Sequence, residues 1–139
     1  MGAHVIATDI SPIAVQCAKA NAIVNNLEDQ VRVLEGDPFE PIQNLSFDLL
    51  ISNPPCYRGK PSSWAEYAWR SEVLERFLQS FSLHMKGSGR VLLPASTELD
   101  LQAIEDGFWK KGFELREICA RRTLGETLYV FECMPICQT

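Results

Sequence analysis

The run Asn53-Pro54-Pro55-Cys56 constrains this chain more than any other feature. It directly follows an apolar stretch, Phe47-Asp48-Leu49-Leu50-Ile51-Ser52, that reads as a strand. Two consecutive prolines offer no ladder donors, so a parallel strand cannot continue through them. The chain must leave a sheet at Asn53 on a stiff, pre-set backbone. In an open α/β sheet the carboxyl ends of strands are where ligands bind. A carboxamide beside proline-held carbonyls makes a fixed cluster of acceptors. Such a cluster suits a planar nitrogen carrying two hydrogens: an amide or an exocyclic base amine.

The rest of the chain alternates strands and helices and closes on a hairpin. His4-Val5-Ile6-Ala7-Thr8 reads as a short apolar strand ending at Asp9. Ser11 before Pro12 is a helix start, an N-cap hydroxyl followed by a proline at the first helical position. Ile13, Cys17, Ala20 and Val24 recur at helical spacing and predict a helix running to about Asn25. Residues 31–35 form a second predicted strand, stopped by Gly36-Asp37-Pro38. The third, residues 47–52, is almost continuously apolar, as a strand covered on both faces should be.

After Pro55 the chain carries four aromatics, Tyr57, Trp64, Tyr67 and Trp69, in a predicted loop. Val73, Leu74, Phe77, Leu78 and Phe81 then mark a buried helical stripe reaching about Met85. Gly87-Ser88-Gly89 is expected to turn the chain into a strand over residues 90–95. Thr97 is the expected cap of a helix carrying Leu101, Ile104 and Phe108 and ended by Gly112. Residues 113–121 and 127–133 read as an antiparallel hairpin around Thr123-Leu124-Gly125-Glu126. Alternating β and α segments imply a mainly parallel sheet with helices on both faces, in one domain over residues 1–139.

The stretch Asp-Leu-Leu-Ile-Ser-Asn-Pro-Pro, residues 48–55, resembles the (N/D)-P-P-(Y/F) signature of class I S-adenosylmethionine (SAM) methyltransferases that modify planar nitrogens. The nearest likeness is to the HemK-type glutamine methyltransferases and their small-domain relatives acting on RNA or DNA bases. It runs from about Ala3 to Glu132. One departure stands out: the aromatic fourth position is Cys56, and an aromatic comes one residue late, at Tyr57.

The resemblance implies a Rossmann-like α/β open sheet, mostly parallel, of strand order 3-2-1-4-5-7-6, with a C-terminal antiparallel hairpin. Aligned in this way, the chain begins at the family's second strand. The first, central strand, its glycine-rich loop and the following helix are missing, and no G-x-G-x-G occurs in the sequence. The expectation is an N-terminally truncated domain, and Met1 can be an internal methionine.

Asp9 ends a strand directly before a capped helix, where a carboxylate can accept both ribose hydroxyls of a nucleoside cofactor. The alternative role is compensation of the helix N-terminus. Asp37, after the second strand, can accept the adenine amino hydrogens or simply form a turn before proline. The resemblance places Ile10 against adenine, with Pro38 or Phe39 also able to pack on the ring. Asn53, Pro54 and Pro55 are the expected catalytic group, with Asn53 at the cofactor boundary as well. The Asn53 carboxamide oxygen and the Pro54 carbonyl can each accept one N–H, aiming the nitrogen at the sulfonium methyl without a strong general base. Tyr57 and Trp64 either stack on a planar substrate group or cover the sheet edge.

Charge and cysteine content narrow the remaining classes. A formal net charge of −5 disfavours a generic polyanion binder, although Arg58, Lys60 and Arg70 flank the motif loop. No apolar run approaches the ~20 residues needed to span a bilayer, and no signal peptide is apparent. Five cysteines without C-x-x-C or paired histidines indicate reduced thiols in the cytoplasm and no metal site.

Three functional readings follow. The first is SAM-dependent methyl transfer to a glutamine amide of a release-factor-like protein or to an exocyclic amine of an RNA or DNA base. The second is a non-catalytic fragment that binds no cofactor. The third, a nicotinamide dehydrogenase using Asp9 for the ribose, leaves the Asn-Pro-Pro run unexplained.

Overall fold

A computed structural model describes residues 2–37, 39–53 and 71–136. These form two compact units, Met1–Leu45 and Ser46–Thr139.

The first unit contains strand β1 (Val5–Asp9), helix α1 (Pro12–Val24) and strand β2 (Val31–Glu35), followed by a 3-10 turn at Glu40–Ile42. β1 and β2 pair in parallel and in register, from Val5 opposite Val31 to Asp9 opposite Glu35. Helix α1 starts as expected, with Ala14 N–H donating to the Ser11 hydroxyl at 3.4 Å. Its end is set by Asn26, which adopts a left-handed backbone (φ 54°). Asn26 N–H donates to Ile23 O and Leu27 N–H to Ala22 O, satisfying the last carbonyls of the helix.

The buried face of α1 is not the one that carries the spaced residues. Val15 and Ala22 are buried, whereas Ile13, Cys17, Ala20 and Val24 are all exposed, Ile13 by 74% and Val24 by 80%. Both faces of this helix carry apolar residues, so spacing alone did not identify the one that packs on β1 and β2.

The second unit contains β3 (Phe47–Ile51), helix α2 (Ser71–Ser80), a 3-10 turn (Phe81–His84), β4 (Met85–Ser96), helix α3 (Leu101–Trp109), β5 (Phe113–Arg122) and β6 (Thr127–Pro135). Its sheet has the order β3-β4-β6-β5. β3 and β4 are parallel, while β6 runs antiparallel to both β4 and β5. Numbered as the resemblance implies, the first unit pairs strands 2 and 3 and the second unit's sheet has the order 4-5-7-6. Leu50 is buried, whereas Leu49 and Ile51, which share the other face of β3, are exposed, Ile51 by 72%; the expectation of a strand covered on both faces fails there.

The core of this unit is aromatic. Phe81 is fully buried, with ring centroids 5.7 Å from Phe77, 5.0 Å from Phe108 and 4.9 Å from Phe113. Val91, Leu93 and Ala95 alternate inward along β4 with the period of two that a strand imposes. On β6, buried Glu132 accepts from Arg90 of β4 and Arg116 of β5, each at 2.9 Å, tying three strands together.

Three local expectations are corrected. The helix over the Phe77 stripe ends at Ser80 and not near Met85, because the chain tightens into the 3-10 turn before β4. Gly87-Ser88-Gly89 lies inside β4, where the pairing jumps from Met85 opposite Phe47 to Arg90 opposite Leu49. A Cβ at Gly89 would stand 2.9 Å from Phe47 O and Lys86 O, so this bulge needs glycine for close backbone approach. Finally, Asp100 caps α3, its Oδ1 accepting from Ala103 N–H at 3.1 Å. Thr97 instead joins β4 to the hairpin, its Oγ1 accepting from Thr127 N–H at 3.0 Å.

Candidate functional site

Parallel, in-register pairing makes β1 and β2 end side by side. Asp9 is the last residue of β1, opposite Glu35, and Asp37 follows β2 by two residues. Gly36 N–H donates to Asp9 O at 3.0 Å, locking the two strand exits together. Gly36 has φ 149°, and an added Cβ would meet the Pro41 ring at 3.0 Å, so the turn that carries Asp37 requires glycine.

The Asp9 side chain is exposed. Its Oδ1 accepts from Ser11 N–H at 2.7 Å, which orients the carboxylate, and Oδ2 accepts no hydrogen bond among the described residues. A strand-end carboxylate held by one oxygen and open at the other is a suitable acceptor for a hydroxyl-bearing ligand. Ile10, the next residue, is exposed by nearly half and presents an apolar surface beside it. Asp37 is half-buried.

In the second unit, Ser52 N–H donates to Leu92 O at 3.2 Å, the last bond of the β3–β4 ladder. Asn53 follows it beyond the end of β3 and is exposed. Pro38, Pro54, Pro55, Cys56, Tyr57 and Trp64, to which the sequence assigned cofactor, catalytic or stacking roles or the motif's departure, lie outside the described residues. The structure thus brings Asp9, Ile10 and Asp37 together in the first unit and places Asn53 at a strand exit in the second.

The chain belongs to the methyltransferase small domain family, whose model matches residues 2–122. Over 101 residues it is 38% identical to a tRNA1(Val) (adenine(37)-N6)-methyltransferase of Porphyromonas gingivalis, covering 66% of this chain and 40% of the relative. Over 49 residues it is 43% identical to a release factor glutamine methyltransferase of Aquifex aeolicus, covering 35% of this chain and 17% of the relative. The chain therefore spans well under two thirds of the curated relatives it matches. Among solved structures, a methyltransferase from Pyrococcus furiosus superposes with a TM-score of 0.70 at 23% identity, covering 94% of this chain and 62% of that one. That likeness is one of fold, and it agrees with the Rossmann-like sheet order seen here.

No group of three or more metal-ligating side chains occurs among the described residues, and none of their helices is long and apolar enough to cross a membrane. A cavity of about 250 Å³ in the second unit is lined by Leu101, Glu105, Leu115, Glu117, Tyr129 and Phe131. The sequence reading missed these residues as a set. Their signal was the two-residue spacing of Leu115 with Glu117 and of Tyr129 with Phe131, which puts each pair on one face of a strand.

Proposed function

We propose that this chain forms part of a SAM-dependent N-methyltransferase acting in the cytoplasm. In this reading Asp9, Ile10, Asp37 and Pro38 hold the adenosine end of SAM, while Asn53, Pro54 and Pro55 receive the acceptor nitrogen. Family membership supports the reaction class. The observation that carries the assignment of residues is the polar exit of each strand: Asp9 ends β1, and Asp37 and Asn53 each follow the last residue of β2 and β3 by two.

The residues present fit such a cofactor. Asp9 is oriented by Ser11 N–H and keeps an open oxygen for ribose hydroxyls. Ile10 offers an apolar contact for adenine, and Asp37 an acceptor for its amino group. SAM, when bound, supplies an electrophilic methyl group. The work of Asn53 is to accept an N–H from the substrate through its carboxamide oxygen, with the Pro54 carbonyl accepting the second. Those two bonds orient the nitrogen face and favour the positive charge that develops as its proton becomes acidic. Tyr57 and Trp64 are the candidates for stacking on the planar group.

The relatives named for a release factor glutamine and for a tRNA adenine support an amide or exocyclic amine as acceptor. The 139 residues contain no G-x-G-x-G. We place the donors for the methionine end of SAM in chain outside these residues, as a glycine-rich loop brings backbone close to a ligand and presents helix N-terminal donors. Calorimetric titration of SAM into the 139-residue chain should show no binding in the low-micromolar range. A chain extended upstream by a strand and glycine-rich loop should bind. In that longer chain Asn53→Ala should abolish methylation while sparing SAM affinity. Tight binding by the short chain would refute the placement of those donors outside these residues, and full methylation by Asn53→Ala would refute the role of Asn53.

A further inference from the structure

The cavity in the second unit has a composition that selects a ligand. Its floor is apolar: Leu115 of β5, Tyr129 and Phe131 of β6, and Leu101 of α3. The Tyr129 and Phe131 rings lie 5.5 Å apart at 22°, a stacked pair that presents flat π surface. Glu117 stands directly opposite Phe131 in the β5–β6 ladder. Glu105 is four residues after Leu101 on α3, so the two share one helix face. Both carboxylates are exposed, and neither forms an ion pair among the described residues.

Two unpaired carboxylates above an aromatic floor reject a phosphate backbone and favour a cation. The floor favours a planar cation over a compact ammonium, because a guanidinium can stack on a ring while its N–H groups reach carboxylates. The chain's net charge of −5 acts in the same direction. We propose that this groove binds an arginine side chain from a basic segment of a protein partner. The arginine stem lies along Leu101 and Leu115, the guanidinium stacks on Tyr129 or Phe131, and Glu105 and Glu117 accept its N–H groups. The groove shares no residue with Asp9, Asp37 or Asn53, so its occupancy is measured without SAM.

The test is an NMR titration of the 139-residue chain with a blocked Gly-Arg-Gly tripeptide, following the ring signals of Tyr129 and Phe131. Parallel titrations use the citrulline and lysine tripeptides and a single-stranded oligoribonucleotide. The arginine peptide should shift both rings saturably. Citrulline, which has the shape without the charge, should bind at least tenfold more weakly, and lysine more weakly than arginine. Glu105→Gln with Glu117→Gln, both at exposed positions, should weaken arginine binding at least tenfold while leaving the rest of the spectrum in place. Tyr129→Leu should remove the preference for arginine over lysine. Equal binding of citrulline, an unaffected double variant, or ring shifts caused by the oligoribonucleotide in place of the peptide would each overturn the proposal. An absence of any saturable shift would overturn it as well.

Discussion

The two units of this chain solve the problem of burial differently. Residues 46–139 have a four-stranded sheet and a centre in which Phe77, Phe108 and Phe113 surround Phe81. Among their described residues, residues 1–45 have a two-stranded sheet and helix α1, and the apolar side chains they bury are Val15, Ala22, Val33 and Ile42. A unit that small is marginal by surface-to-volume scaling, and a two-stranded sheet needs a helix against it to persist. The same unit exposes Ile13, Ile23 and Val24 on α1. The difference shows that residues with equally apolar sequence signals acquire structural weight only where enough neighbours converge on them.

The contrast is largest for the cysteines. Cys17 of the first unit is exposed, while Cys133 is fully buried on β6, where burial pushes its thiol up to about 12. In native buffer at mild alkaline pH, iodoacetamide should label the exposed Cys17 much faster than Cys133, because Cys133 is buried and the thiolate is the reactive form. Mass-spectrometric mapping over time reads both rates. Comparable rates would show that the core around Phe81 opens as readily as the first unit.

Core truncations test the same contrast thermodynamically. Phe81→Ala should cost about 3–5 kcal/mol in urea unfolding, from lost transfer energy and a cavity at the meeting point of three rings. Val33→Ala on β2 should cost about 2 kcal/mol. A reversal of that order would mean that the first unit carries the stability.

A smaller effect separates the two ends of the segment between β4 and α3. Asp100→Ala removes the N-cap bond to Ala103 N–H and should destabilise by about 1 kcal/mol. Thr97→Ala loses an equally exposed bond, from Thr127 N–H outside the helix, and should leave the amide signals of α3 in place. Perturbed α3 amides in Thr97→Ala would return the capping role to Thr97.

The smallest effect concerns the exposed Asp48–Lys86 pair, 2.7 Å apart. The hydrogen bond from Lys86 and its charge hold the Asp48 carboxyl below its ordinary value. A carboxylate depressed on folding contributes stability above its unfolded pKa and loses it as pH falls through the folded one. Both charges are solvated, so the visible consequence is in the titration and scarcely in the unfolding midpoint. In an NMR titration Lys86→Met should raise the Asp48 pKa; an unchanged value would mean that the contact is not held in solution.

Much of this architecture was legible beforehand because it depends on local chemistry. Ser11-Pro12 starts α1 through a hydroxyl cap and a preset φ. Apolar runs bounded by Gly36-Asp37 and Asn53-Pro54 gave the strand ends, and with them the positions of Asp9, Asp37 and Asn53. Residues that depend on distant neighbours were not legible. Which face of α1 packs was undecided by spacing, since Val15 and Ile13 are equally apolar. Gly89 read as a turn residue, yet its backbone lies against Phe47 O, a strand forty residues away in sequence. Nothing local marks Glu132 as buried; β4 and β5 bring Arg90 and Arg116 to it. The sequence by itself determined the elements, their order and the polar residues that end them, because turns, caps and periodicity act over a few residues. Only the tertiary structure decided which apolar faces are covered, which charges are buried and which aromatic rings meet. Burial is a property of what converges on a residue from elsewhere in the chain.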